Sequence, residues 1–225
     1  MAWLANRRLD LQPSREIMSE GWIEEQLVAR GIADARVLDA MRRVARDAFV
    51  PEESHAAAYA DRALPIGSGQ TISQPYMVAV MTEALRLTGS ERVLDVGTGS
   101  GYQAAILAEL AREVITIERR PELAETARQR LASLGYMNVE VLVGDGTLGS
   151  PEHAPFDAIL VGAAAPRVPD SLKQQLSSNG GRLVVPVGAS DQQTLHIVTR
   201  SGDRFSEIFG VGCVFVPLIG EEGWP

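Results

Sequence analysis

Val93-Leu94-Asp95-Val96 runs without a break into Gly97-Thr98-Gly99-Ser100-Gly101, and helical spacing begins directly behind it. A short apolar run bounded by glycine reads as a buried strand, so the glycines fall in a strand-to-helix turn. In such a turn they permit positive φ and let the backbone approach a ligand closely, with the N–H groups of the helix start facing it.

Downstream of this turn the chain reads in alternation as helix 101–111, strand 114–118, helix 121–134, strand 139–143, strand 156–161, a short helix after Pro169 and strand 182–187. With the first strand at 92–96, that alternation specifies an α/β fold with a doubly wound, mostly parallel, Rossmann-like sheet. The β-rich runs 194–200 and 207–216, split by Ser201-Gly202-Asp203, predict a hairpin that adds an antiparallel edge. Upstream, residues 64–75 (LPIGSGQTISQP) carry Gly and Pro without helical period and read as a loop, and Pro75 opens a helix through Leu87. Farther up, Met18 with Trp22 and Ile23 with Leu27 place an amphipathic helix over residues 14–30, stopped by Gly31. Asp34 then caps a second helix, in which Val37, Leu38, Met41, Val44 and Ala45 keep helical spacing up to the Phe49-Val50-Pro51 break. The expected organisation is one domain over 1–225: a helical N-terminal extension (1–60), a loop and helix facing substrate (61–90), a cofactor-binding core (91–190) and antiparallel strands (191–225).

Composition narrows the function. The 225 residues are 45% hydrophobic and 22% charged, an ordinary globular balance that excludes disorder as the main state. The net charge of −8 opposes a polyanion, so no nucleic-acid partner is expected. No apolar run approaches the ~18 residues of a membrane span, and Met1–Arg8 lacks the apolar stretch of a secretory signal, so the expected setting is the cytoplasm, with no membrane partner. One cysteine, Cys213, in an apolar β-rich run reads as a buried structural thiol, and three histidines far apart offer no metal site, so no metal is expected. Lys173 is the only lysine, which leaves little room for Schiff-base chemistry.

The second strand ends in Glu118, 21 residues after Gly97, near the spacing at which an acid meets a ribose. A dinucleotide fingerprint would want a third glycine where Tyr102 stands. Asp95, two residues before the first glycine, suits a ligand carrying ammonium and sulfonium groups rather than pyrophosphate, because a carboxylate beside phosphates is unfavourable. These features together point to S-adenosyl-L-methionine. Gly144-Asp145-Gly146, at the end of the third strand, offers a carboxylate that could read an adenine amino group.

With Ala63-Leu64-Pro65-Ile66-Gly67, Gly69-Gln70-Thr71-Ile72-Ser73-Gln74-Pro75-Tyr76-Met77, VLDVGTGSGYQAA at 93–105, Gly144-Asp145-Gly146, Phe156-Asp157-Ala158-Ile159, Gly180-Gly181-Arg182-Leu183 and Phe215-Val216-Pro217-Leu218 in that order, the sequence closely resembles the protein-L-isoaspartate (D-aspartate) O-methyltransferase family over about residues 34 to 220. The resemblance implies methyl transfer from S-adenosylmethionine to the free α-carboxylate of L-isoaspartyl residues, with age-damaged proteins and peptides as partners. It implies Ser73 at the active site and Gly97, Gly99, Glu118 and Asp145 around the cofactor. From the residues themselves, Asp95, Thr98, Gly101 and Gly146 are expected to join the cofactor site and Thr71, Ile72 and Gln74 of the loop to face the substrate, while the apolar β-rich segment Val214–Leu218, with Val214 and Val216, is expected to form a wall that accepts substrate backbone in extended form. A monomer is expected. Gly162, in Val161-Gly162-Ala163-Ala164-Ala165-Pro166, departs from the threonine expected in relatives, and the first 20 residues exceed the compact bacterial pattern.

A peptide α-carboxyl ordinarily titrates at about pH 3.3–3.7, so at pH 7 it is already the nucleophile and needs no general base. Catalysis must then come from alignment and from drying the carboxylate. Ser73, with no adjacent histidine, is expected to position substrate by a hydrogen bond rather than to attack; the competing reading is a cap on the helix opened by Pro75. The ester would lose methanol to the following amide, and the succinimide would reopen in part to aspartate. The rival readings are a methyltransferase of a small molecule or RNA, a non-catalytic cofactor-binding module, and a nicotinamide oxidoreductase.

Overall fold

The computed structural model describes residues 21–225. The portion of the first expected helix before Gly21, with Met18, lies outside the described residues. Residues 21–26 are helical and pass through a 3-10 turn, Val28–Arg30, to Gly31, whose φ of 94° ends it. Trp22, Ile23 and Leu27 are buried on the inward face, as the spacing required. Asp34 caps α1 (Ala35–Arg43): its carboxylate accepts from Arg36 N–H at 2.8 Å and Val37 N–H at 3.4 Å. The helix stops earlier than the apolar spacing suggested. Val44 is extended, and Arg46–Phe49 is a separate 3-10 turn.

The stretch 64–75 is not a plain loop. Leu64–Gly67 (β1) and Gln70–Ile72 (β2) pair antiparallel around Gly67-Ser68-Gly69, all three at positive φ, while Leu64 and Ile72 face each other and are buried. Density of Gly and Pro concealed two strands too short to show alternation. Pro75 does open a helix, α2 (Pro75–Leu85), which ends at Arg86 in the left-handed region rather than at Leu87.

From there the alternation unfolds as expected: β3 (Arg92–Val96), α3 (Tyr102–Ala108), β4 (Glu113–Glu118), α4 (Pro121–Ser133), β5 (Val139–Val143), β6 (Ala158–Val161), α5 (Asp170–Gln174) and β7 (Asn179–Ala189). β8 (Gln192–Ser201) and β9 (Arg204–Cys213) form the antiparallel edge. The seven-stranded order is β5-β4-β3-β6-β7-β8-β9, so the connections reverse direction between β3 and β6. In open α/β sheets ligands sit beyond the carboxyl ends of the strands at such a reversal.

Strand side chains alternate between two cores. Val93, Val114, Ala158 and Leu160 join the N-terminal segment and α1–α4 on one face, whereas Leu94, Val96, Ile115, Ile117, Ile159 and Val161 pack with Phe156, Leu172 of α5 and Leu218 on the other. Tyr102, at the position where a dinucleotide fold would carry glycine, is 1% exposed and meets the Phe49 ring edge-on at 5.4 Å. It fills space under the N-terminal segment. Among the described residues no helix is long and apolar enough to cross a membrane.

Candidate active site

The glycine turn after β3 adopts the conformations anticipated: φ is 95° at Gly97, 53° at Gly99 and 90° at Gly101. The N–H groups of Gly97 and Thr98 donate to Ile117 O of β4, and Gly162 N–H donates to Val96 O, which fixes the turn between the ends of β4 and β6. Glu118 completes it. Its carboxylate accepts from Gly99 N–H at 2.9 Å and from Arg120 N–H at 3.1 Å, and the residue is 6% exposed.

Beside this turn lies a cavity of about 270 Å³, walled by Gln70, Thr71, Val96, Gly97, Gly99, Ile117, Glu118, Arg119, Arg120, Gly146, Gly162, Ala163 and residues 216–219. A Cβ at Gly99 would sit 3.3 Å from Ile66 Cδ1, and one at Gly146 would sit 2.5 Å from Val96 Cγ1, so side chains here would close or distort the cradle. One carboxylate and an apolar slot of Ile117, Leu218 and Ile219 form a set that fits an adenosine: the acid for vicinal hydroxyls, the slot for a base. Glu118 and the glycines Gly97, Gly99 and Gly146 could thus hold the cofactor.

Asp95 is not at that wall. It is wholly buried, and among the described residues only Thr116 Oγ1, its register neighbour on β4, donates to it, at 2.8 Å. Thr98 Oγ1 follows at 2.7 Å from Thr116 Oγ1, and since the Thr116 proton is committed to Asp95, Thr98 is the donor in that second bond. Asp95 is therefore joined to the glycine turn only through two threonines, because strand alternation turns it into the helix-covered face, and Thr98, also expected at the cofactor, is 3% exposed and lines only a small cleft next to Ser73. Burial pushes the Asp95 pKa up to about 7; the Thr116 hydrogen bond opposes and the charge of Glu118 adds. Gly101 also stands behind the cavity, as the left-handed cap residue of α3.

Asp145 likewise has other partners than the expected adenine. Its carboxylate accepts from Thr147 N–H, Thr147 Oγ1 and Glu221 N–H at 2.9, 2.7 and 2.8 Å, which ties the C-terminal segment to the end of β5. Burial works to raise its pKa, but those hydrogen bonds and nearby Arg119 outweigh it and hold the carboxyl below its ordinary value.

A second cavity of about 490 Å³ adjoins the first and is lined by Arg30, Ala63, Thr71, Ser73, Gln74, Tyr76, Met77, Gly162 and residues 212–216. Thr71, Gly162 and Val216 belong to both cavities and form the passage between them. Gly162, without a side chain, leaves that passage open. Ser73 borders the larger cavity, and its hydroxyl has no hydrogen-bond partner among the described residues. The capping reading fails: the cap residue of α2 is Gln74, and no side chain caps that end.

Ile72 departs from expectation, being 4% exposed and turned into the core, where it lines only a small cleft beneath Ser73 and Thr98. Gln74 lines the larger cavity and donates from Nε2 to Asp61 O at 3.2 Å. Val214 and Val216 lie beyond β9, which ends at Cys213. Val214 is 70% exposed, and Val216 O accepts from Ala164 N–H at 2.8 Å. One edge of the 214–218 segment is thus already paired. Cys213 is no core thiol; it is half-buried on the cavity wall, and burial pushes it up to about 11. Sequence reasoning missed Arg30, Tyr76, Arg119, Arg120, Gly162 as a junction, and Ile219; the wall expected over Val214–Leu218 is divided, with Pro217 and Leu218 on the cofactor cavity rather than the larger one. Only Gly162 carried a signal, as the odd residue in a run of alanines.

The family described as protein-L-isoaspartate(D-aspartate) O-methyltransferase (PCMT) matches this chain over residues 19–223. Protein-L-isoaspartate O-methyltransferase 2 of Marinobacter nauticus is 60% identical over 202 residues, which is 89% of this chain and 92% of that protein. A solved protein-L-isoaspartate O-methyltransferase superimposes with a TM-score of 0.81 at 28% identity, covering 93% of this chain and 67% of the other. A Plasmodium falciparum structure assigned as a beta-aspartate methyltransferase (PCMT), in complex with S-adenosyl-L-homocysteine, gives a TM-score of 0.75 at 26% identity, covering 88% and 96% respectively.

Proposed function

Because this chain belongs to the protein-L-isoaspartate(D-aspartate) O-methyltransferase family, and so transfers a methyl group from S-adenosylmethionine to isoaspartyl carboxylates of damaged proteins, we propose that its two adjoining cavities divide the work between cofactor and peptide. The observation that carries this reading is the shared wall of Thr71, Gly162 and Val216, across which the contents of the two cavities can meet.

The bound cofactor supplies a methyl group on a positively charged sulfur. Everything else falls to the chain. Gly97 and Gly99 keep side chains out of the cradle, and Glu118 offers its carboxylate to the ribose hydroxyls. The Asp95–Thr116–Thr98 series fixes the buried Thr98 hydroxyl and so braces the glycine turn from behind; Thr98 itself lines only the small cleft next to Ser73. Ser73, with an uncommitted hydroxyl, hydrogen-bonds the substrate carboxylate and holds it at the passage. No general base is required, since the carboxylate is ionised at neutral pH; orientation can supply on the order of 7 kcal/mol. Thr71, Gln74, Val214 and Val216 border the peptide, while Ile72 supports Ser73 from below.

We take the partners to be proteins and peptides rather than nucleic acid, a reading supported by the net charge of −8, and the working form to be a cytoplasmic monomer. The test is to incubate the protein with methyl-labelled S-adenosylmethionine and two peptides that differ only in L-isoaspartyl against L-aspartyl linkage. Base-labile label in the isoaspartyl peptide alone is the expected result; label in neither, with cofactor bound, would send the search to another acceptor.

A further inference from the structure

Among the described residues, Arg30 is the only one lining the larger cavity that is ionised at neutral pH, since every other is apolar, neutral polar or, in Cys213, a thiol held protonated. It comes from the 3-10 turn that ends the N-terminal helical segment, far in sequence from Ser73. Two contacts hold it there. Nη1 donates to Asp61 Oδ2 at 2.7 Å, and the guanidinium carbon lies 3.4 Å from the centroid of the Tyr76 ring. The fork is only partly used: Nη1 is the nitrogen that meets Asp61, and the side chain retains 40% of its exposure.

Its position within the cavity matters. Arg30 and Tyr76 line the larger cavity but not the cofactor cavity, whereas the passage is made by Thr71, Gly162 and Val216. The guanidinium therefore borders the larger cavity without forming the passage, where it can meet the peptide on either side of the isoaspartyl unit. The chain as a whole carries −8, so its general field repels acidic peptides, and the partly exposed guanidinium, with donors left over beside Asp61, offsets that locally.

We propose that Arg30 is a specificity-determining residue that selects isoaspartyl peptides carrying an acidic side chain next to the damaged residue. The inference rests on the reading of the larger cavity as the peptide site. It also assigns the N-terminal segment a role in recognition, since that segment delivers the cation.

The test uses isoaspartyl peptides identical except for Glu, Gln or Lys at the positions flanking the isoaspartyl residue, with kcat/KM measured for the wild type, Arg30→Lys, Arg30→Gln and Arg30→Glu. In the wild type the Glu peptide is expected to exceed the Lys peptide by about fivefold, the size of a partly exposed ion pair, with the ratio shrinking in high salt. Arg30→Lys keeps the preference, Arg30→Gln removes it and, with Asp61 left unpaired, tips the ratio towards the Lys peptide, and Arg30→Glu inverts it further, an inversion that loss of structure would not produce. Asp61→Asn, which removes the neutralising partner, enlarges the preference. The same ratio in all four enzymes, with isoaspartyl peptides still methylated, overturns this inference alone. Failure of the wild type to methylate any isoaspartyl peptide overturns the reading of the cavity as well.

Discussion

The backbone N–H of Gly99 donates to the carboxylate of Glu118 at 2.9 Å, so the loop after β3 and the end of β4 are one unit. The other oxygen accepts from Arg120 N–H, and both loops are held in the shape of the cofactor cradle by a single side chain. Removing that side chain strips two bonds to a charged acceptor, each worth about 1.5–3 kcal/mol.

Glu118→Ala is accordingly expected to weaken S-adenosylhomocysteine binding by about tenfold or more, since 1.4 kcal/mol corresponds to one decade. Isothermal titration reads this directly. Turnover at saturating cofactor should change much less than KM for S-adenosylmethionine. An unaltered dissociation constant would remove Glu118 from the cofactor site.

Ser73→Ala removes a hydroxyl that no neighbouring group uses, so thermal stability should stay within about 0.5 kcal/mol of wild type. A hydrogen bond to an ionised carboxylate is worth about 1.5–3 kcal/mol, which predicts a loss of about 10- to 100-fold in kcat/KM for an isoaspartyl peptide. Steady-state methylation with the peptide varied checks it. Full activity with a lowered melting temperature would restore the structural role that the geometry speaks against.

Asp95 links stability to pH. Its pKa rises from 3.8 to about 7 on folding, chiefly through burial, so between those values the folded chain keeps a proton that the unfolded chain has released. The group's contribution to stability is thus full below about pH 4 and falls as pH rises to about 7. Asn cannot ionise. The melting temperature of Asp95→Asn minus that of wild type should therefore be more positive at pH 8 than at pH 4.5, by scanning calorimetry at both values. A difference independent of pH would mean that Asp95 keeps its ordinary pKa.

Asp145 has the opposite sign. Hydrogen bonds from Glu221 and Thr147 hold its pKa below the ordinary value, so its stabilisation is present above that value and is lost as pH falls through the lower, folded one. Asp145→Ala leaves the buried Thr147 donors and the Glu221 N–H without their acceptor and should cost about 2–3 kcal/mol at pH 7 in urea unfolding. Its deficit should shrink in acid. Loss of cofactor affinity without loss of stability would instead favour a direct contact with the adenine.

Much of the architecture was legible because it depends on local patterns. Apolar runs ending in glycine marked β3, the capping carboxylate of Asp34 marked the start of α1, and Pro75 marked the start of α2; each is a property of a few adjacent residues. The β1–β2 hairpin was not legible, since strands of this length show no periodicity and are held by a Leu64–Ile72 pairing that exists only once the turn has closed.

The site divides in the same way. The glycine turn and Glu118 could be read from spacing, because a turn and the adjacent strand end are fixed by the parallel pairing of β3 with β4. The rest was decided by the tertiary structure: Asp95 faces away from the cavity because strand side chains alternate and its neighbour across the sheet is Thr116. Asp145 is engaged by the C-terminal segment, and Arg30 reaches the Ser73 cavity because the N-terminal segment packs onto the same core as α2. Sequence specifies which groups are available and where the backbone must turn; which of them meet is set by packing between segments remote along the chain, and no local pattern records that.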